Sequence, residues 1–482
     1  MPRLRFNAFS MNCVSHIHHG QWTRPDSRSV DYTDLDAWIE LARLLERGKF
    51  DALFLADVVG TYAAYGGNRD AAVEEGLQTP VNDPSLLIPA MAAATENLGF
   101  AFTQSVLQEQ PFNFARRLST LDHLTKGRVG WNIVTSYLPD AARNLGYGGL
   151  PSHEDRYRRA EEYMQVIYKL LEGSWEDDAV IRDTERGIYA DPAKIHDIDH
   201  RGEFYPDVPG PHLAEPSPQR TPVLFQAGTS EWGRDFAARN AEAIFIIART
   251  PDAARITIED IRGRAEALGR DGEDIVFFEG MSFIVGGTEA EARAKAAEFD
   301  ATQSARGYAA HMGGAMGVDF AAIGLDTPVG EISEYNTQGI VKGLIDSAPD
   351  QTWTFGDLLA NRSMNRVVGT PEQIADRLEE WAEAGVGGIN MPYYVTPGSF
   401  ADFIDGAVPE LQRRGLMQSE YAEGTLREKL ADGGAEARLP GSHPGGRTRR
   451  ERLGGAGAAD RPAAGLAARA ATSGAPAQPA AA

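Results

Sequence analysis

Eight short, continuously apolar runs, separated by stretches with helical spacing, constrain this chain more than any other feature. They are RLRFNAF (3–9), FDALFLAD (50–57), LGFAFTQS (98–105), RVGWNIVTS (128–136), PVLFQAG (222–228), EAIFIIAR (242–249), VFFEGMSFIVGG (276–287) and GGINMPYY (387–394). Strands that are apolar at successive positions are buried on both faces, as parallel strands covered by helices must be. Alternation of this count predicts a closed (β/α)8 TIM barrel, with an open doubly wound sheet as the alternative. The connections carry helix signals. In DLDAWIELARLLERGK (34–49), Leu35, Trp38, Ile39, Ala42 and Leu45 recur on one helical face. Ser152 with Asp155, Thr288 with Glu291, and Thr370 with Pro371 and Gln373 are N-terminal capping signatures.

Several of these runs end in polar side chains: Asp57, Thr103 to Ser105, Asn132 and Ser136, and, just past the fifth, Thr229 and Ser230. A parallel barrel sends all its strand C-termini to one face, where active sites sit, so these groups are expected to share a rim. Gly228, Thr229 and Ser230 lead from a strand into a helix, which suits a phosphate cradle of hydroxyls and free N–H groups. Ordinary helix capping by Thr229 or Ser230 is the plainer reading of the same residues. Asp57 either accepts hydrogen bonds from a ligand or forms a turn. His153 and Tyr157 are four residues apart, on one helix face, and can reach one ligand or pack together on the rim.

Composition narrows the class. A hydrophobic content of 42% is ample for a globular core. The formal net charge of −22 argues against nucleic acid or an anionic membrane as partner. The single cysteine, Cys13, excludes an internal disulfide framework and fits a reducing cytoplasm. No apolar run reaches the roughly 18 to 20 residues that span a bilayer, and MPRLRFNAFS lacks a secretory h-region; the chain reads as cytoplasmic. Segments of about 59–82, 175–220 and 300–368 exceed a minimal barrel connection and read as lids or added subdomains. They contain Tyr62, Tyr65, Tyr189, Tyr205, Tyr308, Tyr335 and Trp353. One domain is expected over 1–430. Residues 431–482, rich in Ala, Gly, Pro and Arg, read as a disordered tail. His16, His18 and His19 have no carboxylate or cysteine at a zinc spacing, and HDIDH (His196 to His200) lies in an insertion and is weaker still, so no metal site is read from either. There is no Walker A stretch, no GxGxxG between a strand and a helix, and no GxSxG elbow.

FDALFLADVVG, ARRLSTLDHLTKGRVGWNIVTS, HEDRYRRAEEYMQVIYKLLEGSWEDDAVIRD, EPSPQRTPVLFQAGTSEWGR and VVGTPEQIADRLEEW resemble the nitrilotriacetate monooxygenase component A family over about residues 4–430. These are two-component flavin-dependent monooxygenases of the bacterial-luciferase-like superfamily. The resemblance implies a barrel that binds FMN as FMNH2, a separate NAD(P)H:flavin reductase as partner, and a homo-oligomer, dimer or tetramer. It implies that O2 reacts to give a flavin C4a-(hydro)peroxide and that one oxygen atom enters a small or medium, mostly apolar substrate, an organosulfur compound or an alkane. By matching positions it places Asp57, Thr103, Asn132 and Ser136 along the isoalloxazine and ribityl chain. His153, Tyr157, Gly228, Thr229 and Ser230 fall at the phosphate.

Cys13, His16, Tyr62, Gln78, Asn132 and His311 match the lining of the reaction pocket. His16, His311, Tyr62, Tyr137 and Asn132 are the candidate catalytic groups, although either histidine is also readable as structural. Tyr137 stands where the alkane-oxidising branch has His, as it does in the sulfide-oxidising branch. Trp232 stands where a smaller residue is usual. Arg and Lys are sparse in the pocket-lining stretches, which weighs against a polycarboxylate substrate. The other readings are aminopolycarboxylate oxygenation, deazaflavin-dependent hydride transfer and a non-catalytic flavin-binding protein.

Overall fold

The computed structural model describes residues 3–228, 230–324, 326–328, 351–354, 356–357 and 365–454. Strands β1 (Arg5–Met11), β2 (Ala52–Ala56), β3 (Gly99–Ser105) and β4 (Val129–Val134) pair in parallel in chain order. An antiparallel ribbon, β5 (Val180–Asp183) and β6 (Ile188–Ala190), occupies the long connection after β4. Strands β7 (Val223–Ala227), β8 (Ala243–Ile246) and β9 (Val276–Val285) continue the sheet. β10 (Asn365–Gly369) follows, and β11 (Gly388–Pro392) lies between β9 and β1. Among the described residues, eight parallel strands thus close a (β/α)8 barrel, and each of the eight apolar runs supplies one of them.

β10 is the exception, unread in the sequence. It pairs only with Met281 to Val285 of β9, the half of that ten-residue strand that outruns the ring.

The connecting helices include α1 (Leu35–Arg47), α2 (Asp70–Glu74), α3 (Ile88–Ala93), α4 (Pro111–Leu124), α5 (Pro139–Asn144), α6 (His153–Gly173), α7 (Glu231–Asn240), α8 (Pro251–Ala267), α9 (Glu289–Thr302), α10 (Ala305–Met316) and α11 (Pro371–Glu383). Phe6, Leu53, Phe100, Trp131, Leu224 and Ile244 face outward beneath these helices. Phe9, Phe54, Ala101, Val223, Phe225 and Phe278 fill the barrel interior. Both faces are dry, which is why the runs show no polar alternation. The interior rings meet edge to face, Phe9 to Phe54 and Phe54 to Phe225 both at 5.5 Å between centroids. This aromatic layer is the floor beneath the strand ends. Leu426 and Leu430, on a short helix Leu426–Leu430, plug the opposite mouth.

The capping signatures differ in outcome. Thr370 and Gln373 form a complete capping box. Ser152 accepts from the Asp155 N–H at 3.0 Å, but the short Asp155 carboxylate accepts from the Ser152 hydroxyl at 2.8 Å instead of the backbone. Glu291 reaches past Thr288 to accept from Gly287 N–H. On α1, Leu35 is exposed (45%) and Leu41 takes its place in the buried stripe. The disordered tail expected from about 431 is contradicted over residues 431–454. Residues 431–454 pack on the barrel, with a helix Pro444–Arg449 against α6 and the side chains of Leu439 and His443 buried. Residues 455–482 and Tyr335 lie outside the described residues. No described helix is long and apolar enough to cross a membrane.

Candidate active site

The strand termini meet at one rim, stitched by hydrogen bonds. At the ends of β3 and β4, Asn132 Nδ2 donates to Thr103 Oγ1 at 2.9 Å, and Ser136 Oγ donates to Ser105 Oγ at 2.7 Å. Ser105 N–H donates to Gln108 Oε1 at 2.5 Å, and Gln108 Nε2 reaches Asp57 Oδ2, past the end of β2, at 3.5 Å. Burial, and then the Asp83 carboxylate, push the Asp57 carboxyl up to about 7.

The sign of that shift sets a stability window. Native Asp57 holds its proton up to about pH 7, while an unfolded Asp releases it near pH 4. The native state therefore binds more protons between about pH 4 and pH 7, and Asp57 lowers stability progressively as pH rises through that window. Asp57→Asn is expected to flatten this part of the stability–pH profile, read by chemical denaturation at pH 5 and pH 8.

Of the residues that the resemblance assigns to a phosphate, His153, Tyr157, Gly228 and Ser230 lie together. Ser230 caps α7, its Oγ accepting from Gly233 N–H at 3.1 Å, and the same Oγ lies 3.4 Å from His153 Nε2. The capping reading of Ser230 is the one seen, with the hydroxyl also turned toward His153. Tyr157 packs against His153, with ring centroids 5.0 Å apart. Gly228 is required by close approach: a Cβ there would stand 2.6 Å from Gln226 Nε2 and 3.2 Å from the Tyr157 hydroxyl. Thr229 lies outside the described residues.

Sequence reading missed Arg156, one residue before Tyr157. Its guanidinium is buried (8% exposed) and donates to the Ser136 carbonyl, yet no carboxylate pairs with it among the described residues. A buried cation without a counter-ion is poised for an anion.

The reaction-pocket candidates form a second cluster joined to the first through Ser136 and Tyr137. The Tyr62 hydroxyl donates to Gln78 Oε1 at 2.9 Å and contacts the Tyr137 hydroxyl. Gln78 Nε2 donates to the His16 carbonyl at 2.9 Å and faces His311 Nε2 at 3.4 Å. Tyr62 also meets the His311 ring edge-on, and a Cβ at Gly314 would stand 2.2 Å from Tyr62, so α10 carries glycine there.

His16 sits edge-on against Phe9 of the aromatic floor. Burial pushes its imidazole down to about 3, with further lowering from His311 and His18, and burial pushes His311 down to about 4. Both are neutral at pH 7. Burial raises Cys13 and Tyr62 in the same way, so none of this group carries charge.

The histidine run serves three separate contacts. His16 packs on Phe9, His18 stacks on Tyr394 and lies 3.0 Å from Ser282 Oγ, and His19 lies between Ser15 and His311. Trp232 is half-exposed at the start of α7. Among the buried polar atoms without a hydrogen-bond partner, Asn132 Oδ1, His16 Nδ1, Arg156 Nε and Gln226 Oε1 belong to this rim. Buried groups are nearly always satisfied, so each of these atoms has hydrogen-bonding capacity left over.

The luciferase-like monooxygenase family profile matches residues 8–388. A long-chain alkane monooxygenase of Geobacillus thermodenitrificans (strain NG80-2) is 49% identical over 93% of this chain and 98% of its own length. A crystal structure of long-chain alkane monooxygenase superposes with a TM-score of 0.87 at 47% identity, covering 93% of this chain and 100% of that one. A dimethyl-sulfide monooxygenase of Hyphomicrobium sulfonivorans is 46% identical over 95% of this chain and 96% of its own. A crystal structure of riboflavin lyase with modified FMN and riboflavin has a TM-score of 0.85 at 37% identity, covering 93% and 99%. On barrel, rim and these matches together, the chain belongs to the luciferase-like monooxygenase family.

Proposed function

We propose that this enzyme is a single-domain, cytoplasmic, FMNH2-dependent monooxygenase, assembled as a homo-oligomer, that takes reduced flavin from a separate NAD(P)H:flavin reductase. Its substrate is a small or medium, mostly apolar molecule of the organosulfur or hydrocarbon class, into which one atom of O2 is inserted.

One observation carries the reading. A cradle with an uncompensated buried cation and a pocket of uncharged, hydrogen-bonding side chains over an aromatic floor occupy the same rim. The first suits a phosphate and the second an isoalloxazine beside an apolar substrate.

The chain's residues divide the work. Arg156, Ser230, His153 and Tyr157 would hold the phosphate, and Gly228 leaves it room. Thr103, Asn132, Ser105 and Ser136 would orient the ring and ribityl chain, with Asn132 Oδ1 accepting a hydrogen bond that no protein group supplies. Bound FMNH2 supplies the electrons that activate O2. The aromatic floor and the buried Tyr62 keep water from the pocket, with the half-exposed Tyr137 at its edge. His16 and His311 are both neutral, and the contacts at both ring nitrogens of His311 fix where its proton sits. No cation stands among Cys13, His16, Tyr62, Gln78, Tyr137 and His311, as a polycarboxylate substrate would need. The named substrates of the alkane and dimethyl-sulfide relatives agree with that chemistry.

Anaerobic titration with FMNH2, then oxygenation in the presence of a dialkyl sulfide, an alkane or an aminopolycarboxylate, tests the reading. The expected product carries one oxygen from O2 on the sulfide or the alkane. Hydrogen peroxide alone with every substrate would mean a flavin binder instead of an oxygenase. Ser230→Asp places a like charge at the phosphate and is expected to weaken FMNH2 at least about tenfold, some 1.4 kcal/mol.

A further inference from the structure

Gln78 sets the direction of a hydrogen-bond chain across the pocket wall. Its Nε2 lies 2.9 Å from the His16 carbonyl oxygen, which can only accept, so that atom is the amide nitrogen. Oε1 is then the acceptor for the Tyr62 hydroxyl at 2.9 Å. Tyr62 has a single proton, already committed, so the Tyr137 proton makes the Tyr137–Tyr62 contact.

On the other side, the second Gln78 N–H faces His311 Nε2 at 3.4 Å. A neutral imidazole that accepts at Nε2 carries its proton on Nδ1. His311 Nδ1 lies 2.9 Å from His19 Nε2, so His19 accepts there and keeps its own proton on Nδ1, 2.9 Å from Ser15 Oγ. Every donor and acceptor from Tyr137 to Ser15 follows from one backbone carbonyl.

We propose that His19, braced by Ser15, is a positioning residue that holds His311 in its Nδ1–H tautomer and thereby orients Gln78, Tyr62 and the Tyr137 proton. This rests on reading the pocket as the oxygenation site. His19 is completely buried and edge-on to His311, at 5.0 Å between centroids, so it cannot rotate to water and release the lock. The consequence for ligands is definite. With its proton turned to Tyr62, Tyr137 accepts a hydrogen bond from a ligand but does not donate one.

The test is 15N NMR of protein labelled at histidine, with His311 assigned by its loss in His311→Gln. The wild-type enzyme is expected to show His311 as the Nδ1–H tautomer. His19→Phe, with no ring nitrogen, is expected to lose that pure tautomer and to lower kcat at least about tenfold, with KM changed less than about twofold. His19→Gln, whose amide oxygen can stand where Nε2 stood, is expected to restore both. Ser15→Ala, which removes only the brace, shifts His311 in the same direction by less and serves if His19→Phe does not fold. A His311 tautomer unchanged in His19→Phe and Ser15→Ala overturns the proposal. A lost tautomer with unchanged kcat instead overturns the reading of the pocket.

Discussion

Arg427→Met is expected to lower the free energy of unfolding by about 3–5 kcal/mol, the largest single-residue effect on stability anticipated here. Arg427 lies beneath the barrel on the plugging helix, where Nε donates to Glu242 Oε1 at 2.5 Å and Nη2 to Glu242 Oε2 at 2.9 Å. Nη2 also donates to the Thr221 carbonyl at 2.8 Å. The pair is nearly dry, with side-chain exposures of 4% and 12%. Removing the cation strands a buried carboxylate at the start of β8 and frees Leu426 and Leu430 from the barrel mouth. Denaturant unfolding of the variant at constant m-value measures the loss. Arg427→Met with Glu242→Met is expected to recover much of it, because the penalty lies in the unpaired charge. A loss below about 1 kcal/mol for Arg427→Met would show that the plug is dispensable.

Arg156→Met is expected to weaken FMNH2 binding by about a hundredfold, near 2.7 kcal/mol, because a charge-assisted phosphate contact in a dry site is lost. The accompanying change in the flavin-free protein separates a ligand cation from a structural one. Arg156 has no acidic partner among the described residues, so its removal relieves a buried charge. The thermal midpoint without flavin is expected to stay level or rise. The flavin-dependent rise in that midpoint is expected to shrink, since ligand stabilisation scales with affinity. Arg156→Lys keeps the charge without the fork and is expected to fall between the two. A drop in the flavin-free midpoint together with unchanged affinity would make Arg156 a support for Ser136 alone.

The barrel is legible because parallel strands buried on both faces are mostly apolar until they reach the rim, with Asn7, Glu279 and Asn390 as buried exceptions. Asp57, Thr103, Asn132 and Ser136 stood out for that reason. β10 was not legible, because Asn365–Gly369 is short, half-buried and paired only with the overhang of β9. Residues 431–454 were also lost to composition. Their arginines act through long-range contacts that a local pattern cannot show. Arg447 donates to Leu268 O at the end of α8, Arg452 to Gly173 O at the end of α6, and Arg449 pairs with the buried Glu172. Such contacts satisfy the orphan carbonyls of helix C-termini. Arg156 looked like one charge among many in HEDRYRRAEEY, since the absence of a counter-ion appears only in three dimensions. Nothing in the run of His16, His18 and His19 points to the partners of His19, because Ser15 and His311 lie four and 292 residues away.

A crystal structure of the enzyme with FMN bound bears most directly on the claim that these strand ends build one flavin site. The phosphate is expected against Arg156, Tyr157 and Ser230, with the isoalloxazine over the Phe9–Phe54–Phe225 floor and a hydrogen bond to Asn132. A flavin bound elsewhere on the barrel, or one that leaves Arg156 without an anion and Asn132 Oδ1 without a partner, would contradict it.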